Sequence, residues 1–294
     1  MHDLESPLVS VIIPTRHRLH LLQRAIDSVN AQTYSNVEIV VFDNFSDKPI
    51  LLTELVSRVP LKIVRSEVFE RASVSRNKAL RSCDGAYIAY LDDDDEYTPK
   101  KFSDQIAAFQ RTPDVKMVYG NTEHRSQGGS SISSGPANIT TFLRYRHIHP
   151  NSCTIRREVL DTVSFNAEMT TFEDVMFFAD ILRVHKVEHV DEVHSIWNRD
   201  GRPDQLTNKN YRRAFLNWKV LCEKLRPELM QNVDLKRFYF KKMFILSVRF
   251  FEVRQALVSL RALLSSASWW SSEGSEVARD YIGSSSSPNR SNYT

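Results

Sequence analysis

The first 120 residues alternate short β-branched runs with stretches of helical spacing. Leu8–Ile13 (LVSVII), Val37–Phe42 (VEIVVF), Leu61–Arg65 and Ala86–Leu91 (AYIAYL) read as buried strands, and Val115–Tyr119 as a further one. Between them, Leu19–Ala31 sets Leu22, Ile26 and Val29 on one face. Ile50–Arg58 fits a short helix, and Arg71–Cys83 offers a small-residue face of Ala72, Ser75, Ala79 and Ser82. Pro99 fits the first turn of a helix running to Gln110. Strands alternating with helices predict a Rossmann-like α/β fold, with a mostly parallel sheet, right-handed crossovers and helices on its faces. Ligands of such sheets bind beyond the carboxyl ends of the strands. Asp43, Asn44 and Asp92–Asp95 all stand at such ends.

The second half is less regular. Gly120–Pro136 turns to Ser, Gly, Asn and Gln and reads as a loop. Ser152–Arg156 fits a strand, Arg157–Val163 a short helix and Thr171–Arg183 an amphipathic helix. Val187–Val190 and Val193–Trp197 look like two short strands. Leu206–Arg226 and Leu235–Leu264 are helical and basic, and the Ser-rich stretch from Ser265 has the makeup of a disordered tail. The implied organisation is a catalytic domain over 1–205, with its halves meeting near residue 120, a basic helical region over 206–266 and a tail over 267–294.

Composition narrows the classes. With 294 residues, 41% hydrophobic and 26% charged, the chain suits one large α/β domain plus an appendage. Its 8 glycines argue against Gly-rich phosphate loops. Cys83, Cys153 and Cys222 are too scattered for a disulfide framework or a CxxC metal site, so buried free thiols in a reducing compartment are expected. Met1–Pro7 carries Asp3 and Glu5 and no apolar run, so neither a signal peptide nor a spanning helix is expected and the cytoplasm is the expected location. The net charge of +3 is uneven: Leu206–Ser266 holds 13 Lys/Arg against 4 Asp/Glu, a local +9 that leaves −6 for the remainder. A basic region of this kind, with aromatics such as Phe215, Trp218 and Phe238–Phe240, suggests an anionic partner, and an anionic membrane surface is one that fits.

The acidic run carries the sharpest chemistry. In extended chain, residues two apart face the same way, so Asp92 and Asp94 can share a divalent cation that also takes diphosphate oxygens. Four adjacent acids repel one another, and a cation relieves that most simply; a solvated acidic turn is the plainer alternative. Glu173 and Asp174 open the Thr171–Arg183 helix. Complementing the helix dipole would by itself explain them, although a carboxylate there could also take a proton from an acceptor hydroxyl. His147 and His149 lie in a polar loop without zinc-ligand spacing.

In their joint order, several segments resemble a family 2 inverting glycosyltransferase of the GT-A fold. They are VSVIIPTRHR, VEIVVFDN, SVSRNKALRSCDGAYIAYLDDDDEYTP and IHPNSCTIRREVLDTVSFNAEMTTFEDVMFFADIL, and together they cover about residues 8 to 200. The resemblance implies a GT-A domain with a C-terminal helical appendage. Pro14, Thr15 and Arg18 would line the nucleotide pocket, and Asp43 would meet the base, usually uracil. Arg76 would sit by the donor. Asp92 and Asp94 would bind Mg²⁺ or Mn²⁺ and the ribose-diphosphate, with Asp93 beside them as a further donor-binding residue. Asp174 would be the base, with Glu173 beside it. The partners implied are a nucleotide-sugar, usually a UDP-sugar in that family, and a glycan or lipid-linked acceptor, with no nucleic acid. The chain departs from the family at Asn44–Asp47, where a Gly-Ser-Thr-Asp turn is common. It departs again at Trp197-Asn198-Arg199-Asp200, where Arg-x-His is common; there Arg199 is a diphosphate candidate and Asp200 could stand in as a metal ligand. A nucleotidyltransferase would be expected to bring a Gly-rich loop after its first strand. A non-catalytic carbohydrate-binding protein would not need two separate acid clusters.

Overall fold

The computed structural model describes residues 6–199, 211–249 and 252–264. The chain divides into two compact units, Met1–Leu221 and Cys222–Thr294. The first begins with β1 (Val9–Thr15), α1 (Leu19–Asn30), β2 (Val37–Asp43), β3 (Leu61–Arg65), α2 (Ala72–Ala79) and β4 (Tyr87–Tyr90). These strands lie parallel in the order β3-β2-β1-β4. Val9, Val11, Ile13, Ile39 and Val41 turn to one face, where Leu22, Ile26 and Val29 of α1 cover them in a single buried cluster. Each such side chain contributes about 1.5–3 kcal/mol on burial. The register sets Thr15 beside Asp43, and β4 runs along the other side of β1. Three polar strand ends therefore open onto one edge.

After β5 (Glu96–Tyr97) and α3 (Lys101–Arg111) come β6 (Met117–Ser126), β7 (Gly129–Ser133), α4 (Ile139–Tyr145), β8 (Cys153–Arg156), α5 (Glu173–Val184) and β9 (Val187–Arg199). Here the sheet stops being parallel. β8 runs antiparallel to β4 and β6, β9 parallel to β6, and β5 antiparallel to β9. The expectation of a mostly parallel sheet thus holds for the first four strands, and the sheet as a whole is mixed.

Three local expectations are corrected, and one helix, α4, was not expected. The Gly120–Pro136 loop is instead the end of β6 and the β6–β7 hairpin, because its polar residues pair across the sheet, as Thr122 does with Ser195 at 2.9 Å. The two short strands at 187–197 are one strand, β9, with irregularities opposite Gly120–Thr122. Ile50–Arg58 forms only a 3-10 turn at Leu52–Glu54. Gln23 and Asn30 of α1 bond the Val56 and Arg58 backbone directly, which removes the need for a helix there. The helix α4 has no strong apolar signal and is set by its cap, where Asn138 accepts from Thr141 N–H.

The first unit closes within α6 (Tyr211–Lys224), and the second holds α7 (Arg226–Gln231), α8 (Val233–Arg249) and α9 (Val253–Leu264). The helical stretch expected over Leu235–Leu264 is made of two helices, α8 and α9. Phe215, Trp218, Tyr239 and Phe240 are buried, so these four of the described aromatics expected to face a membrane are core, while Phe238 is exposed. No described helix is long and apolar enough to cross a membrane. Cys83, Cys153 and Cys222 are buried free thiols.

Candidate active site

The acidic run leaves β4 through a turn closed by Asp95 N–H to Asp92 O at 3.0 Å. Burial alternates along it: Asp93 and Asp95 point inward, while Asp92 and Asp94 keep partial access to solvent. Two sets of polar side chains hold the inward pair. Thr15 Oγ1 donates to Asp93 at 2.7 Å and Arg18 Nη1 at 3.2 Å, and Arg18 also reaches Asp94 at 3.3 Å. On the other side Asn151 Nδ2 donates to Asp95 at 2.5 Å, Asn198 N–H donates at 2.9 Å, and Asn151 Oδ1 accepts from Asp92 N–H. Arg24 Nη2 donates to the Asp94 carbonyl at 2.6 Å. Burial, with the charges of Asp94 and Asp92, pushes the Asp93 carboxyl up to about 7 against the pull of Arg18 and Thr15. Burial likewise drives Asp95 well above the carboxylate range. Four adjacent acids are thus tolerated by burying two on hydrogen bonds and leaving two half open.

Arg76, buried on α2, ties this run to the start of α5. Its Nη2 donates to Asp92 Oδ1 at 2.6 Å, its Nη1 lies 3.6 Å from Glu173 Oε1, and its guanidinium sits over the Phe165 ring at 5.2 Å. Burial opposes the charge, but Asp92 and Glu173 outweigh it and raise the Arg76 pKa. Glu173 and Asp174 open α5 behind Phe172, which adopts left-handed backbone at φ 64°. That start is held in place. The Phe172 ring packs against Trp218 at 5.2 Å, and Arg146 stacks on both rings. With its amide oxygen turned toward them, Asn217 accepts from Thr170 and Thr171 N–H at 3.0 Å. Burial and the neighbouring Asp174 raise the Glu173 carboxyl to about 6.

Asp43 is fully buried. It accepts from Ser46 N–H at 3.0 Å, from Ile50 N–H at 3.4 Å and from Arg65 Nη1 at 2.6 Å. Burial favours the neutral acid, but these donors hold the carboxyl below its ordinary value. Its carboxylate is therefore taken up by Arg65, whose Nη2 also donates to Ser46 O at 2.9 Å. Pro14 is half-buried beside it at the end of β1. Arg199 ends β9, with its guanidinium over Trp197 at 4.5 Å, and Trp197 packs against the rings of His124 and His149. Asp200 lies outside the described residues.

The structure therefore brings Thr15, Arg18, Arg76, Asp92, Asp93, Asp94 and Glu173 into one connected set, with Asp174 next in the chain to Glu173. Asp43 stands one strand away, and Arg199 follows Asn198, which holds Asp95. Sequence reasoning missed Arg24, Arg65, Asn151, Asn198 and Asn217. Each acts through a contact between distant segments, and none carries a local motif.

Among the described residues no three His, Cys, Asp or Glu side chains converge as a metal cage. Asp92 and Asp94 nevertheless fit a hard cation, because Mg²⁺ takes one or two carboxylates and completes its shell with water and substrate phosphate oxygens.

A mixed sheet with an acidic turn at the end of its fourth strand and an acid pair at a facing helix start defines a GT-A-type domain. The sequence profile described as Glycosyl transferase family 2 matches residues 10–163, just over half of the chain. The chain belongs to that family. WcaA of Escherichia coli (strain K12), assigned provisionally by its name to colanic acid biosynthesis, is 32% identical over 47% of this chain and 49% of its own length. An E. coli protein, the UDP-Glc:alpha-D-GlcNAc-diphosphoundecaprenol beta-1,3-glucosyltransferase WfgD, is 27% identical over 64% of this chain and 75% of its own. The chain thus spans about half the length of WcaA. The fold matches S. aureus TarS 1–349, solved with UDP-GlcNAc, at a TM-score of 0.64 and 18% identity, over 87% of this chain and 81% of that one.

Proposed function

We propose that this protein is an inverting, metal-dependent glycosyltransferase. It moves a sugar from a UDP-sugar onto a glycan or lipid-linked glycan acceptor in bacterial polysaccharide assembly. The observation that carries the reading is Arg76, whose guanidinium spans Asp92 on the donor side and Glu173 on the acceptor side. The names of WfgD and of the UDP-GlcNAc-bound TarS structure support a nucleotide-sugar donor, and that of WfgD supports a lipid-linked acceptor.

Asp92 and Asp94 would hold Mn²⁺ or Mg²⁺, which when bound offsets negative charge on a departing diphosphate. The chain's own part is positional. Arg76 fixes the Asp92 carboxylate, and Arg18 fixes Asp93 and Asp94, so these groups are aimed before substrate arrives. Across the site, Asp174, with Glu173 beside it, takes the proton of the acceptor hydroxyl as it attacks the anomeric carbon. Attack from the face opposite the leaving group inverts that carbon in one displacement.

The test is release of UDP from a panel of UDP-sugars by the purified chain with Mn²⁺. Turnover should appear with at least one donor, stop with chelator and fall about a hundredfold or more in Asp94→Asn. Chelator-resistant turnover, or an Asp94→Asn variant of normal rate, would overturn the metal role. A product that keeps the donor's anomeric configuration would overturn inversion.

A further inference from the structure

The second unit carries an apolar stripe that nothing in it covers among the described residues. On α9, Val253, Leu257, Leu260 and Leu264 are 68%, 52%, 39% and 79% exposed. At about 100° per residue these four fall within about 60° of one another. The opposite side of the helix is the packed one, with Ser259 and Ala262 fully buried. Ile245 and Val248 on α8 are exposed as well, each at 54%. Leaving four branched aliphatic side chains in water along three turns is unfavourable, and such stripes mark contact surfaces.

The charge around the stripe says what it fits. Residues 233–264 hold 7 Lys/Arg and 2 Asp/Glu, a net of +5. Arg254 and Arg261 are exposed and lie one helical step to the side of the stripe, with Arg249 exposed at the end of α8. A stripe of aliphatics bordered along one side by cations matches a surface that is apolar a few ångströms down and anionic above. That is the boundary between headgroups and acyl chains in an anionic bilayer.

We infer that α9, with the end of α8, lies in the plane of an anionic lipid surface. Val253, Leu257, Leu260 and Leu264 enter the acyl boundary, and Arg254 and Arg261 meet lipid phosphates. The aromatic triplet Phe238–Phe240 is not the inserting element, since Tyr239 and Phe240 are buried. The inference does not depend on the catalytic reading, because lipid binding is measured without donor or acceptor.

The experiment is co-sedimentation of the full chain with vesicles of phosphatidylcholine alone or mixed with phosphatidylglycerol. Binding is expected only with phosphatidylglycerol and is expected to weaken at high salt. The triple variant Leu257→Gln, Leu260→Gln, Leu264→Gln should lower partitioning about tenfold or more, with an unchanged melting temperature because the replaced side chains are exposed. Arg254→Gln with Arg261→Gln should lower binding while the stripe stays intact. No sedimentation at low salt, equal binding to phosphatidylcholine alone, or unchanged binding by the triple variant would each overturn the inference. So would a concentration-dependent dimer of the parent that the triple variant abolishes, since the stripe would then belong to a second copy of the chain.

Discussion

In the proposed reaction Glu173 and Asp174 are neighbouring acids with different duties. Burial and Asp174 lift the Glu173 carboxyl to about 6, so the pair carries its full charge only above that pH. Glu173 takes on its charge as pH climbs through about 6, and kcat/KM should therefore change across that window. Glu173→Gln removes the group that titrates there and should flatten that step in the profile. Asp174→Asn should lower turnover by about 10² to 10⁴ at every pH, with UDP-sugar affinity little changed. A rate profile flat from pH 5 to 7, or a large loss of donor affinity in Asp174→Asn, would remove the pair from this role. For stability the sign is the reverse. A carboxyl raised in the folded state helps folding at low pH, and that help is lost as pH climbs from its ordinary value to about 6.

At the scale of elements, the active edge depends on how closely β4 can approach β1. Gly85 enters β4 with its N–H on Ser10 Oγ at 2.8 Å. A Cβ there would stand 2.6 Å from Ser10 Oγ, 2.7 Å from Ser10 N and 2.8 Å from Leu8 O, two of which are backbone atoms that cannot swing away. Gly85→Ala should cost about 1–3 kcal/mol, read as a lower melting temperature. Gly128→Ala is the control. Its nearest neighbour would be 3.9 Å away, so stability should hardly change. If both variants melt alike, the close approach does not constrain the strand pair.

For the whole molecule, Lys101 links stability to pH. Its side chain is buried, with Nζ donating to Cys153 O at 3.0 Å and Gln105 Oε1 at 3.2 Å, and burial depresses it to about 7. Above that pH the folded chain has released a proton that the unfolded chain keeps until about 10.4, so this group makes stability rise with pH. Cys83 and Cys153, pushed up to about 12 by burial, act oppositely once free thiols ionise near 8.5. The comparison therefore belongs between pH 7 and 8. Lys101→Met should be the more stable protein at pH 7, and the parent should close the gap by up to about 1.4 kcal/mol per pH unit. A gap that does not change with pH would mean Lys101 keeps its proton in the fold.

The sequence by itself determined the parallel half of the fold and the position of its acids. Runs such as VEIVVF can only be buried strands, and polar residues that follow them must emerge at strand ends, which is why Asp43 and Asp92–Asp95 were legible. Extended chain would group Asp92 with Asp94, whereas the run is a turn in which Asp93 and Asp95 are buried and Asp92 and Asp94 keep partial access to solvent. What the sequence could not determine was which distant group answers each charge. Asn151, Asn198, Arg65 and Arg76 become partners only because the sheet lays β8, β9, β3 and α2 around one edge, and no local pattern encodes a contact between segments. Polar β6 and β7 read as loop for the same reason, since their strand character comes from cross-strand pairing. The basic region divided likewise: composition showed its charge and its rings, but only packing decided that Phe215, Trp218, Tyr239 and Phe240 turn inward while the aliphatics of α9 stay outside.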